Sequence, residues 1–183
     1  GILPPNMQEL PLKSKIKPGD HLLYYKSDGV HSNGFSLINK ISESRHIPQP
    51  IIDDMLKPTK IYYKELKDLF GMDYIMEHLC GIAHITGGGL IDNIPRILPP
   101  NTSFKIETKI QPGYEFEFIY NNSNMTEEDM YKTYNLGVGL VVVVSKELDL
   151  EEVFTDPQIG WFDIDYLGTV IEGNKPILPK LFS

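Results

Sequence analysis

Cysteine is almost missing from this chain of 183 residues: Cys80 stands alone. One thiol excludes an intrachain disulfide framework and any cysteine-based zinc site, and it fits a reducing, cytoplasmic setting. Long apolar runs are missing too. The longest block, Leu140 to Val144, is far short of the ~18 residues a membrane-spanning helix needs, so no membrane partner is expected. No charged-then-apolar leader is visible at the start. Positive charge is in deficit, with 17 Lys plus Arg against 25 Asp plus Glu and a net charge of −8. A nucleic-acid backbone is therefore an unfavourable partner, although a few backbone amides can still hold a small phosphate ester. Repeats and low-complexity tracts are absent. What remains is an ordinary core-forming composition, 41% hydrophobic and 23% charged, sufficient for one domain. A start at Gly1 rather than Met raises the expectation that the chain is cut from a longer protein.

Residues 1–18 carry Pro4, Pro5, Pro11 and Pro18 and read as an extended lead-in or linker ending in a turn. From residue 19 to 183 no composition break divides the chain. His21 to Lys26 reads as a strand and Gly34 to Ser44 as a helix, with Arg45 to Ile52 a proline-containing loop. Pro58 and Thr59 open a second helical stretch whose apolar face is Ile61, Tyr62, Leu66, Leu69 and Phe70. A further helix through Met72, Ile75, Met76 and Leu79 precedes a short buried strand, Gly81 to Ile85. Leu90 to Leu98 suggests a short helix, with Pro95 tolerable only near an end. Phe104 to Ile110 alternates with period two and reads as a strand. Thr126 to Asp129 resembles a capping box. Val138 to Val144 is the best central-strand candidate. Lys146 to Phe154 reads as a short helix and Tyr166 to Ile171 as a last strand. Interleaved strands and helices predict an α/β or α+β domain around one mixed sheet covered by helices.

Three segments carry chemistry. In the first, the strand through Ala83-His84-Ile85-Thr86 runs into Gly87-Gly88-Gly89 and then a helix start. Glycines let a backbone approach a ligand closely, and a helix start offers unpaired N–H groups, which suits a phosphate. The spacing is neither a Walker A loop nor a Rossmann fingerprint, and a plain strand-to-helix turn is the competing reading. His84 and Thr86 share a strand face; His84 is either a ligand contact or a satisfied structural histidine. The second segment, Ser27 to Ser36, again passes from strand through a polar loop to a helix. Ser32, Asn33 and Ser36 can serve as caps, whereas His31 suits acid–base work or a phosphate contact. Two strand-loop-helix units, each with a His and Gly, point to a shared site at the carboxyl ends of strands. The third segment, Tyr131 to Leu140, links a helix to the central strand and reads mainly as a helix stop at Asn135 and Gly137. Asp53-Asp54, Glu127-Glu128-Asp129, Asp163 and Asp165 are weak cation signals, and no metal ligand is assigned.

These segments occur in a familiar order. Lys17 to Asp20, His31 to Leu37, Leu56 to Tyr62, Ala83 to Pro99, Glu128 to Gly139 and Leu167 to Val170 together resemble the C-terminal domain of the aminoimidazole ribonucleotide synthetases, or phosphoribosylformylglycinamidine cyclo-ligases. Each motif is modest; their order over about nine-tenths of the chain is specific. The resemblance implies an α+β sandwich with partial ferredoxin-like topology. It also implies ATP- and Mg2+-dependent closure of an imidazole ring: formylglycinamidine ribonucleotide becomes aminoimidazole ribonucleotide, with ADP and phosphate released. ATP and metal contacts are expected mainly from an N-terminal domain that this chain lacks, and a homodimer is expected when full length. The implied substrate-phosphate and binding residues are Asn33, Thr86, Gly87, Gly88 and Gly89, with Asn93 and Arg96 second-tier as binding or packing residues and His31 and His84 as catalytic candidates. Related ATP-using enzymes, formylglycinamidine ribonucleotide synthetase among them, and a noncatalytic binding domain stand as alternatives. Asp28, where the family usually has a small residue, favours the last through repulsion of a phosphate.

Overall fold

The structure, a computed structural model, describes residues 9–155 and 164–182. Five strands form one sheet in the order β2-β4-β1-β5-β3: β1 (His21–Lys26), β2 (Leu79–His84), β3 (Thr102–Ile106), β4 (Val138–Val144) and β5 (Ile164–Glu172). Every ladder is antiparallel. The expected mixed character is confined, among the described residues, to one isolated parallel bridge between Lys105 and Ile177.

Both faces of the sheet are covered, which explains why β1 and β4 read as nearly continuous apolar runs. Successive side chains of a strand point to opposite faces. Leu22, Tyr24, Val141 and Val143 accordingly join one core with α1 (Phe35–Ser44), α2 (Gln49–Met55), α5 (Gly89–Asn93), α6 (Tyr114–Asn121) and α7 (Glu127–Thr133). Leu23, Tyr25, Leu140, Val142 and Val144 join a second core with α3 (Tyr63–Phe70), α4 (Asp73–His78) and α8 (Leu150–Thr155). Residues Val141 to Val144 are fully buried, each worth about 1.5–3 kcal/mol by removal from water. The lead-in is tied on as well: Leu12 N–H donates to Cys80 O at 2.7 Å and Gly19 N–H to Val170 O at 2.8 Å.

The α+β class, the five strands and the Thr126–Asp129 capping box match the reading of the sequence. Several details differ. The proline loop at Arg45 to Ile52 contains the start of α2; Pro50 occupies its first turn, where a missing N–H goes unneeded. The helix expected from Pro58 begins only at Tyr63, and Ile61, assigned to its apolar face, is 82% exposed. Residues 57–62 form a strap instead, held by Lys60 N–H on His31. Leu79 opens β2 rather than closing α4. Strand β3 ends at Ile106; beyond it Glu107 and Thr108 N–H both turn to Leu167 O, at 2.9 and 3.3 Å, the residue at which the pairing of β5 with β1 shifts register. Helix α6 was not anticipated. Asp163 lies outside the described residues, as do residues 1–8 of the lead-in.

Candidate functional site

Strand order decides where the two histidine loops lie. Both β1 and β2 pair antiparallel with β4, on its two sides. They therefore run in the same direction, and their carboxyl ends reach the same edge. Lys26 sits opposite Val138, and His84 opposite Leu140. The loop after β1 (residues 27–34) and the loop after β2 (residues 85–88) are thereby brought together. The contact is direct: a methyl group built on Gly87 would stand 3.9 Å from Asn33 Oδ1.

His31 is 4% exposed. Its Nε2 accepts from Asp28 N–H at 3.0 Å and Lys60 N–H at 3.3 Å. Its ring centroid lies 6.3 Å from that of His84 and 6.2 Å from that of Tyr62, and Tyr62 lies 5.8 Å from His84. Burial and then the neighbouring His84 push the His31 pKa down, while burial lowers that of His84. Both rings are thus neutral at pH 7. His84 is nevertheless exposed, so it can exchange a proton with a ligand or water. The loop that carries His31 is strained: His31 and Ser32 hold positive φ of 51° and 65°, a conformation that non-glycine residues adopt at some cost and that clusters at functional sites.

Among the described residues, four buried polar side-chain atoms lack a partner. Two of them, His31 Nδ1 and Asn33 Nδ2, belong to this one short loop. Buried polar groups are ordinarily paired, so two unsatisfied groups on one loop leave hydrogen-bonding capacity open there to water or a ligand.

The three glycines divide by role. At Gly89, φ is 56° and a Cβ would collide with Tyr131 O, so this glycine lets α5 pack on the end of α7. At Gly88, φ is 97° and a Cβ would come within 2.6 Å of Asp92 Cβ. Gly87 has neither constraint and is exposed. Thr86 is exposed beside it. Asn93, at 3% exposure, spends its amide inward: Nδ2 donates to Thr86 O (3.2 Å), Gly87 O (3.2 Å) and Gly89 O (2.7 Å), and Oδ1 accepts from Thr86 Oγ1 at 3.3 Å. In this geometry Asn93 shapes the glycine loop from beneath.

The third segment forms the floor. Asn135 is fully buried and donates to Gly29 O at 3.0 Å while its Oδ1 accepts from Ser27 Oγ and Gly137 N–H. Tyr134 Oη donates to Gly34 O at 3.2 Å. Reading the segment as a helix stop missed this bracing role. Tyr62 and Lys60 were also missed as site residues. Tyr62 Oη donates to Lys26 O at 3.0 Å, directly over Gly139, where any Cβ would land on that hydroxyl. A glycine inside an otherwise aliphatic strand was the available signal.

Asp28 donates its backbone N–H to His31 and is among the residues lining a cavity of about 310 Å3, with Asp54, Lys57 and Glu115; its charge also acts on His31 and Tyr62. None of Gly87, Gly88 or Gly89 lines that cavity. The other weak cation signals resolve into local pairing: Asp53 accepts from Gln49, Asp54 pairs with Lys57, Asp165 pairs with Lys26, and Asp129 closes the cap. Among the described residues no group of three or more His, Cys, Asp or Glu side chains is placed to hold a metal ion. Nor is any described helix long and apolar enough to cross a membrane.

Comparison with known proteins gives one consistent family. Residues 17–179 match the family described as AIR synthase related protein, C-terminal domain. The chain is 37% identical over 178 residues to a phosphoribosylformylglycinamidine cyclo-ligase of Alkaliphilus oremlandii, covering 90% of this chain and 50% of that protein. It is 42% identical over 141 residues to that of Nitrosococcus oceani, covering 73% of this chain and 38% of that protein. It is also 38% identical over 154 residues to the trifunctional purine biosynthetic protein adenosine-3 of Chironomus tentans, covering 78% of this chain but 11% of that protein. The chain thus spans about half, or less, of the curated relatives it matches. A solved thiamine monophosphate kinase from Aquifex aeolicus shares the fold, with a TM-score of 0.51 at 14% identity over 88% of this chain and 50% of that one.

Proposed function

Because the chain belongs to the AIR synthase related proteins and matches their C-terminal domain, we propose that it supplies the ribonucleotide side of a cyclo-ligase active site. The proposed reaction converts formylglycinamidine ribonucleotide and ATP to aminoimidazole ribonucleotide, ADP and phosphate. The observation that carries this reading is the meeting of a glycine turn exposed at Thr86 and Gly87 with two buried donors that lack acceptors, His31 Nδ1 and Asn33 Nδ2, at one edge of the sheet. An oxygen-rich phosphorylated ligand is what such a surface can hold.

In this reading the Gly87 backbone approaches the ribose phosphate, with Thr86 beside it and Asn93 fixing the turn. Binding the remote phosphate helps position the reacting atoms. His84, neutral and exposed, can accept a proton from the attacking nitrogen. ATP supplies the phosphoryl group that activates the amide oxygen. ATP and metal fall to the companion N-terminal half found in full-length relatives, through which a homodimer forms, in the cytoplasm.

The test is a matched assay of ATP-dependent ring closure by the full-length parent and by this chain alone. Activity in the parent only is the expected result. A folded parent that makes no aminoimidazole ribonucleotide from its ribonucleotide precursor, ATP and Mg2+ would overturn the proposal.

A further inference from the structure

His31 and His84 are neighbours of the same type, yet their surroundings give them different chemistry. A neutral imidazole has one N–H and one in-plane lone pair. At His31 the lone pair is fixed: Nε2 faces the backbone N–H groups of Asp28 at 3.0 Å and Lys60 at 3.3 Å. A proton on Nε2 would point at two other protons. The ring proton therefore belongs on Nδ1. That nitrogen is buried, in a residue 4% exposed, and has no acceptor in the protein.

Taking up a second proton would break both backbone bonds and loosen the strap at Lys60. Losing the proton on Nδ1 would require an imidazolate, far outside the working pH range. The groups around the ring reinforce the first point. His84 and Lys60 disfavour a positive charge there, as does burial, and Asp28 alone opposes them. The Lys60 ammonium is itself held by Glu65 at 3.4 Å and lies over the Tyr62 ring.

We propose that His31 is locked as the Nδ1–H tautomer and serves as a fixed hydrogen-bond donor to an oxygen of the bound ligand, leaving proton transfer to His84. The identity of the ligand rests on the function proposed above; the tautomer does not. This separates two residues that the sequence leaves interchangeable as proton carriers. It also assigns the loop a second donor of the same kind, Asn33 Nδ2, two residues further on.

The experiment is long-range proton–nitrogen NMR of this chain with 15N-labelled histidine, from pH 5.5 to 8, with and without formylglycinamidine ribonucleotide. In the free protein, His31 should show a protonated Nδ1 and an unprotonated Nε2 throughout, while His84 responds to pH. Added ribonucleotide should shift the His31 Nδ1–H resonance. An Nε2–H pattern, or conversion of His31 to imidazolium above pH 6, overturns the proposal. So does a ribonucleotide that perturbs His84 and the Gly87 amide but leaves His31 Nδ1–H unmoved. A complete lack of response in the site would instead sink the functional reading and the ligand half of the inference, with the tautomer still read from the free protein.

A pair of variants in the full-length parent gives an independent check. In His31→Gln the amide oxygen can accept the Asp28 and Lys60 N–H groups, but the Nδ1 donor is gone. Its melting temperature should stay within a few degrees of the parent's, and kcat/KM should fall at least tenfold with the acid limb of the pH profile in place. His84→Gln should remove that limb. Loss of the acid limb in His31→Gln would return the proton-carrier role to His31.

Discussion

Substituting the three consecutive glycines one at a time separates folding from binding. At Gly89 an alanine must hold a φ of 56°, and its methyl group collides with Tyr131 O and lies 2.8 Å from Tyr134 O. Both obstacles are backbone, so α5 must move away from α7. Left-handed strain costs about 1–2 kcal/mol and the forced displacement about 1–3 kcal/mol. Together they come to about 3 kcal/mol, or a fall in melting temperature of about 6–12 °C for a domain of this size. At Gly87 an alanine meets only Asn33 Oδ1, at 3.9 Å, and φ lies outside the left-handed region. Stability there should be unchanged, or greater by up to about 1 kcal/mol through the unfolded chain.

The same Gly87 methyl group, however, stands where the proposed phosphate approaches the backbone. Loss of one charge-assisted hydrogen bond there costs about 1.5–3 kcal/mol, a roughly tenfold to hundredfold loss of affinity. Thermal melts of the two variants, with calorimetric titration of formylglycinamidine ribonucleotide into each folded protein, give both numbers. The reasoning fails if Gly87→Ala melts as low as Gly89→Ala, or if a folded Gly87→Ala binds the ribonucleotide as tightly as the parent.

Two further outcomes are expected. Gly139→Ala drives a methyl group onto the Tyr62 hydroxyl and leaves it 3.1 Å from Ser27 Cα; it should cost about 1–3 kcal/mol in chemical denaturation and displace Tyr62 from both histidines, broadening their NMR signals. The second concerns pH. Folding lowers the pKa values of His31 and His84 below the ordinary 6.5, so the unfolded chain takes up protons first as pH falls. Their contribution to stability is present above about pH 6.5 and is lost on acidification. Denaturant midpoints measured from pH 7.5 to 6 should decline, and His31→Gln should flatten that decline; an unchanged slope would contradict the buried, neutral ring.

The parts of the fold legible in the sequence were those written in local pattern. Strands β1 and β4 carry unbroken apolar runs because both their faces are buried. The capping box ahead of α7 is spelled by Thr126 and Asp129. The meeting of the His31 and His84 loops was also legible, since two strand-loop-helix units of one direction place their loops at one edge. What could not be read depends on contacts distant in sequence. Ile61 sits on a strap because Lys60 N–H bonds to His31, twenty-nine residues back. The strand pattern of residues 104–110 is cut short where Glu107 and Thr108 N–H turn to Leu167 O, at the register shift of β5. Asn135 looked like a helix stop, and its tie to Gly29 spans 106 residues. The role of Gly89 was hidden for the same reason: what a Cβ would strike is the backbone at the end of α7, some forty residues on.

The central claim is that this domain holds the phosphorylated end of a ribonucleotide at the turn after β2. The most direct measurement is an amide chemical-shift map of this chain titrated with formylglycinamidine ribonucleotide and, separately, with its dephosphorylated nucleoside. Saturable shifts centred on Thr86, Gly87 and Asn33 are expected with the ribonucleotide, and much weaker ones with the nucleoside. Equal shifts from both compounds, or shifts confined to the cavity beside Asp28, would contradict it.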